Sequence, residues 1–357
     1  MATETMATEP IAPEGSLLPL LEEGRPTSRG WVPRLITVGG IVVLLLVISA
    51  LDLSLLRTDW ISLGLIYVLA GISLNILMGY AGQVSLGHQA FVGIGAFTSA
   101  ILVSKAGVSF WLAVPLSAVT GGLIAIGLGF VALRLAGLYL ALITLAYGQI
   151  TEEAIFKSRA ITGGGTGVEA PRPAGFESNF AYVILILMFI GLAYYVDWRF
   201  RRSKTGRAVF AIRENEIAAA SFGINVVSYK LLAFVLSGAI AGVAGALLAH
   251  RTTRVDASVF DFNLALIFVL MVAVGGLGSR AGVFMASFTF AVLPLVLVDF
   301  AKYVLAIEAS LLLVTLILNP GGIAQLIRPV TDWIGGKPFT MKHQEGGVQA
   351  GGAGVRP

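Results

Sequence analysis

The chain has 357 residues and a formal net charge of +4, with 12% charged and 57% apolar residues, where an ordinary soluble domain carries roughly 25% and 45–50%. A mean hydropathy of +0.88 excludes a water-soluble globule, because too little charge remains to coat its surface, and the small net charge gives no footing for nucleic acid. Cysteine is absent, which excludes disulfides, zinc–thiolate sites and iron–sulfur clusters.

Residues 1–33 are polar and rich in Pro, Glu and Gly, and they read as a disordered cytoplasmic tail. The apolar stretch at 17–21 is too short for a signal sequence and runs into Glu22 and Glu23. A bilayer core of ~30 Å needs ~20 helical residues. Runs near 35–51, 60–79, 87–104, 110–133, 136–151, 180–197, 229–249, 262–278, 281–299 and 303–319 meet this requirement to within a few residues. The fifth is short, the last carries Glu308, and the break between the eighth and ninth rests on a few residues around Gly278 and Gly282. The expected fold is all-α and polytopic, with about ten transmembrane helices in a permease-sized domain over 34–328, followed by a second disordered tail at 329–357.

Basic residues set the expected orientation, because loops rich in Lys and Arg stay in the cytoplasm. Arg199, Arg201, Arg202, Lys204, Arg207 and Arg213 lie between the sixth and seventh runs, and Lys230 opens the seventh. Counting from that loop puts both termini in the cytoplasm, beside Arg25, Arg29 and Arg34 at one end and Arg328, Lys337 and Lys342 at the other. Arg134 and Arg280 fall on inner turns, and the segment 152–179 falls outside. Arg251 and Arg254 also fall outside, against the rule.

The cytoplasmic segment 199–228 is too polar to span, yet Ala208, Val209, Ile212, Ile217, Ala218, Ala219 and Phe222 give its helical part an apolar side. Gly206 and Gly223 sit near the ends of the helical stretches, where glycine is a common stop. Such an amphipathic hairpin must bury its apolar side. It either lies on lipid headgroups, helped by its arginines, or fits a groove on a soluble partner.

The segment GYAGQVSLGHQAFVGIGAF at 79–97 crowds glycines around Gln83, Ser85, His88 and Gln89. Irregular backbone at membrane depth survives only where it lines a cavity or is buried in protein, and polar side chains there mark candidate pathways. His88 read alone is equally a packed histidine bonded to a neighbouring helix. Tyr139, Thr144, Tyr147 and Gln149 form a loose polar stripe on the fifth run. The glycine-rich ITGGGTGV at 161–168, with Thr162, Gly163 and Gly164, lacks the Gly-Lys-Ser/Thr ending of a nucleotide loop. It reads as an outer gate, a re-entrant turn or a plain loop. The three histidines are not spaced as metal ligands.

The string Glu216-Ile-Ala-Ala-Ala-Ser-Phe-Gly223 resembles the coupling loop of ABC-importer permeases, with the glutamate displaced by one position. The longer Arg213-Glu-Asn-Glu-Ile-Ala-Ala, with Gly223-Ile-Asn and Lys-Leu-Leu-Ala-Phe at 230–234, resembles the LivM type of branched-chain amino acid permease. The stretches 79–102, 137–150, 161–168, 274–282 and 319–322 fit the same family, so the resemblance covers about 35–328.

The resemblance implies a transport subunit of the bacterial inner membrane rather than an enzyme. It implies no bound cofactor, ATP being held by two separate ATPase subunits. A LivH-like second permease and an external solute-binding protein complete the assembly. Arg213, Glu214, Asn215, Glu216, Ala218, Ala219 and Gly223 become candidates for coupling to the ATPases. Gln83, Ser85, His88, Gln89, Tyr139, Thr144, Gln149, Thr162, Gly163 and Gly164 become candidates for the substrate pathway. Relatives for urea, short amides or aromatic acids are alternatives. An ion-coupled secondary transporter would need a membrane-buried carboxylate or base, and an intramembrane enzyme clustered Asp or His.

Overall fold

The computed structural model describes residues 58–132, 137–163, 166–296, 303 and 310. The first expected span, the tenth apart from residues 303 and 310, both tails and Gly164 lie outside the described residues. The other eight expected spans each correspond to a helix, and their order in the chain is as the apolar runs place them.

Helix α1 (Thr58–Leu74) continues through a π turn, Asn75–Tyr80, and stops. Residues 81–87 are non-helical, and α2 (His88–Ser104) and α3 (Phe110–Ala132) follow. Helix α4 (Leu138–Ile150) also ends in a π turn, Thr151–Phe156, which makes the fifth span longer than its apolar run. The run appears short because Glu152 and Glu153 interrupt it. Lys157 pairs with both, at 3.2 and 2.5 Å, so the helix continues through them. After a short helix α5 (Arg159–Thr162) come α6 (Asn179–Arg202), α7 (Lys204–Glu214), α8 (Glu216–Ser221) and α9 (Val226–Thr252). Helices α10 (Phe262–Gly275) and α11 (Arg280–Val296) close the described bundle. The turn between them uses Gly276 and Gly278, both at positive φ, in the left-handed region where a side chain is strained.

Among the described residues four helical segments are long and apolar enough to cross a membrane: Asp59–Tyr80, Phe110–Phe130, Asn179–Arg202 and Val226–Thr252. Helices α2, α10 and α11 are apolar but shorter.

Helix α9 is central and packs on α3, α2 and α1. Its contact with α2 and α3 is made by backbones. A Cβ at Gly245 would lie 1.8 Å from the Val92 carbonyl, one at Gly242 2.2 Å from that of Ser117, and one at Gly238 2.6 Å from that of Gly121. From the other side, Gly95 and Gly121 meet α9 as closely. Polar bonds cross the same core. Ser237 donates to the Ser73 carbonyl (2.7 Å), Tyr182 to that of Leu247 (2.6 Å), and Ser99 and His250 meet at 2.8 Å.

The all-α expectation is amended by a short ribbon. Strand β1 (Val168–Glu169) pairs antiparallel with β2 (Arg254–Val255). Gly167 lies so close that a Cβ there would meet the Val255 carbonyl at 2.5 Å. The ribbon end of the bundle also explains the two arginines that break the charge rule. Arg251 pairs with Asp59 at 2.7 Å and donates to Ser62, and Arg254 pairs with Glu169 at 3.2 Å.

Substituting Gly245 by Val should force α9 away from Val92, at a cost of roughly 3 kcal/mol or more. Gly191 on α6 has nothing within 4 Å of its Cβ position. Detergent-solubilised Gly245→Val should therefore lose several degrees of Tm or fail to accumulate, while Gly191→Val keeps the parent melting curve.

Candidate functional site

At the end of the bundle opposite the ribbon, α6 passes into a hairpin of α7 and α8. Ser203 caps α7, its hydroxyl accepting from the Gly206 N–H at 3.0 Å. Gly206 is buried in the first turn, where a Cβ would lie 2.2 Å from the Phe200 carbonyl. It therefore opens α7 and permits a tight turn, rather than stopping a helix. Asn215 is extended and caps α8, its side chain accepting from the Ala218 N–H at 2.9 Å. Gly223, at φ 78°, ends α8. Its N–H reaches the Ala220 carbonyl and that of Ile224 reaches Ala219, so the last carbonyls are satisfied.

The expected single apolar side is not continuous. Val209, Ile212 and Ala219 turn into the protein, whereas Ile217, Ala218 and Phe222 face out, Ile217 82% and Phe222 86% exposed. The extended backbone at Asn215 breaks the helical register, so the apolar row of α7 is not carried on by α8. Helix α7 is seated on α6, α9 and the π turn of α1. Phe210 packs on Tyr80 with centroids 5.1 Å apart, and the Arg201 guanidinium lies over both rings.

Polar anchors fix the hairpin to the bundle. The Arg213 guanidinium donates to the Gly79 carbonyl. Glu216 pairs with the nearly buried Lys230 at 2.6 Å. Glu214 is exposed. Beside the hairpin the buried Asp197 of α6 lies 2.5 Å from Arg280 at the start of α11, and Asn75 accepts from the Gly278 N–H at 2.8 Å. The sequence alone marked neither Asp197 nor Asn75, and it counted Lys230 only in the basic cluster and in the string at 230–234, without its partner Glu216. The signal for the first was a carboxylate near the end of one apolar run and an arginine near the start of another.

The polar candidates of the pathway divide. Gln83, Ser85, His88, Gln89 and Thr144 are all buried around the break between α1 and α2. His88 Nε2 lies 2.6 Å from Ser73 Oγ, so it has the helix-to-helix bond of a packed histidine, while its Nδ1 has no partner. Thr144 on α4 accepts from the Leu86 N–H at 3.0 Å. Gln89 is buried with neither amide atom bonded, close to Gly148, where a Cβ would lie 2.5 Å from its Nε2. Ser85 Oγ, Gln83 Oε1, Gln149 Nε2 and Tyr147 Oη are likewise buried without partners. Tyr139 is not part of this group; it is 69% exposed at the start of α4.

Thr162 and Gly163 lie at the ribbon end. Thr162 is buried and donates to the Phe156 and Ser158 carbonyls, and Gly163 ends α5 at φ 81°. They belong to a pinned turn at the other end of α4, separate from the polar group around His88. Next to the ribbon lies an open concavity of about 650 Å³, lined by Glu169, Pro171, Arg172, Glu177, Thr253 and Arg254.

Comparison with known proteins places this geometry. Residues 56–319 match the family model described as "Branched-chain amino acid transport system / permease component". The chain is 32% identical over 300 residues to the "High-affinity branched-chain amino acid transport system permease protein LivM" of Salmonella typhimurium, covering 76% of this chain and 70% of that protein. The LivM protein of Escherichia coli K12 gives the same identity and coverage. A "Probable branched-chain amino acid transport permease protein LivM" of Methanocaldococcus jannaschii is 25% identical over 302 residues, covering 71% and 84%. No solved structure matches.

Breaking the Asp197–Arg280 pair should be costly. Asp197→Leu should destabilise the protein by roughly 2–3 kcal/mol, less than for a fully buried pair because Arg280 keeps some solvent. The double variant Asp197→Leu/Arg280→Leu should recover most of that loss in thermal melts. Equal melting of the single and double variants would show that the pair contributes nothing.

Proposed function

The chain belongs to the branched-chain amino acid transport system permease family, and on that footing we propose that it is the membrane subunit of an ATP-driven importer for branched-chain amino acids. Substrate moves inward by alternating access in the bacterial inner membrane. About ten helices span the bilayer, with both termini in the cytoplasm. The chain itself binds no ATP; two ABC ATPase subunits bind and hydrolyse it. A LivH-like second permease completes the pathway, and an external solute-binding protein delivers the substrate to the ribbon end, where the open concavity offers charges of both signs.

The observation that carries this reading is the seat of the hairpin. Helix α7 is buried against three other elements, while α8 presents Ile217 and Phe222 outward. A short helix with two large apolar side chains, projecting from a firmly held stem, has the form of a knob for a groove on a soluble partner. Lipid headgroups suit α8 less well. Interfacial helices draw on basic residues, but α8 is flanked by Glu214 and Glu216, and the nearest arginine, Arg213, is turned inward to Gly79.

A secondary transporter is weaker for a related reason. The buried carboxylates among the described residues, Asp197 and Glu152, are each paired with a base near a helix end. Neither is free to exchange an ion at mid-depth.

With the full complex in proteoliposomes, ATP-dependent leucine uptake is expected. Ile217→Asp/Phe222→Asp should cut uptake about tenfold or more, with the permease still folded, as loss of a buried hot spot does at an interface. Normal uptake and normal ATPase co-purification by this double variant would defeat the coupling reading. ATP-driven uptake of urea, an amide or an aromatic acid in place of leucine would defeat the substrate reading alone. Ala218→Trp should resemble the double variant, whereas Ala219→Trp, at a buried position, should fail to fold.

A further inference from the structure

Three glycines from three segments surround one side chain of the hairpin. Arg213 stands in the last turn of α7, and its Nη1 donates to the carbonyl of Gly79 in the π turn that ends α1. A Cβ at Gly82 would lie 3.3 Å from Arg213 Cγ, and one at Gly278 would lie 3.4 Å from Nη1. The walls of this slot are also tied to each other. The Gly278 N–H donates to Asn75 Oδ1, and a Cβ at Gly79 would lie 2.6 Å from the Gly278 nitrogen. The guanidinium thus reaches the carbonyl end of α1, where orphan acceptors and the helix dipole favour a cation, through a gap that only glycine backbones leave open.

The slot lies at the root of the non-helical segment 81–87. Gly82 has φ 66°, and the chain runs from it through Gln83 and Ser85, both buried with unbonded polar atoms, into His88. A displacement of α7 therefore reaches the root of this segment by two contacts, the charged hydrogen bond of Arg213 to Gly79 and the packing of Phe210 on Tyr80, of which the hydrogen bond is the directional one.

We propose that Arg213 is the positioning residue through which movement of the hairpin reaches the segment 81–87. The proposal rests on the reading that ATPase subunits grip the hairpin, and it adds the route inside the permease. Arginine suits the task because its rigid, permanently charged fork holds direction as well as distance. Arg213→Lys keeps a charge but not that geometry, and Arg213→Ala keeps neither.

The absence of cysteine from the chain permits a direct test. Val84, 38% exposed between Gln83 and Ser85, is replaced by cysteine, and the whole complex is assembled in proteoliposomes. The rate of maleimide labelling is measured with and without ATP, beside ATP hydrolysed per leucine transported.

In Val84→Cys, ATP should change the labelling rate roughly fivefold or more, the size of an ordinary coupling free energy. In Val84→Cys/Arg213→Ala that response should vanish and ATP consumed per leucine should rise by a similar factor, with ATPase subunits still bound. Arg213→Lys should give an intermediate response. The proposal is overturned if Arg213→Ala retains the full ATP response. It is also overturned if Arg213→Ala and Arg213→Lys merely lose the ATPases together, since Arg213 then only holds the fold, or if Val84→Cys shows no ATP response in a complex that transports. Failure of the parent permease to bind any ATPase would instead remove the reading on which the proposal stands.

Discussion

The contact of α9 with α2 and α3, backbone against backbone, is the constraint on which the rest of this structure depends. Lipid tails are as apolar as leucine, so helices in a bilayer gain little from hiding side chains and must be held by close packing and polar bonds. Gly238, Gly242 and Gly245 on α9, with Gly95 and Gly121 opposite, bring the backbones together at five positions of the seam. The carbonyls of Val92, Ser117 and Gly121 then sit at distances no Cβ would allow. Helix α1 is fixed to this seam by Ser237, which donates to the Ser73 carbonyl. Once α1 is fixed, the place where it breaks is fixed too.

That break separates two kinds of polar chemistry. Around Gly79 several groups are paired: Asn75 with Gly278, Arg213 with Gly79, and nearby Asp197 with Arg280 and Lys230 with Glu216, although the Tyr80 hydroxyl and Asp197 Oδ1 are buried without a hydrogen bond. A few residues along the chain, Gln83, Ser85 and Gln89 are buried with atoms unbonded. The first arrangement holds geometry through charged and directional pairs. The second leaves hydrogen-bonding capacity unused at the point where α2 meets α4. A rigid frame beside an unsatisfied seam is a sensible division of labour for a protein that must move one part against another.

Much of this was legible in the sequence because membranes impose simple rules. Run length alone located eight described helices, and the basic cluster located the hairpin. The glycines at 79–97 marked the broken segment, and Gln83, Ser85, His88 and Gln89 do converge there. What escaped the sequence depended on backbone direction or on distant partners. Whether Ile217 shares a face with Val209 is decided by the extended conformation of Asn215, which no helical period contains. Tyr139 shares the apolar run of Thr144 and Gln149 but stands out from α4 at its exposed start. The fifth span looked short because Lys157, which lets the helix carry Glu152 and Glu153, lies beyond the run. Arg251 and Arg254, which the charge rule alone does not accommodate at their expected side, are paired with Asp59 and Glu169, carboxylates distant in the chain.

The unbonded side chains also bear on energetics. A buried polar group that loses its partners costs about 1–3 kcal/mol, so the side chains of Gln83, Ser85 and Gln89 are where a hydrogen-bonding group would gain most. Conformations of a working protein commonly differ by a few kcal/mol. The close-packed core of α9 has no comparable reserve, because its small residues already touch. The hydrogen-bonding capacity around Gln83, Ser85 and Gln89 and the glycine contacts of α9 are thus kept apart in the bundle.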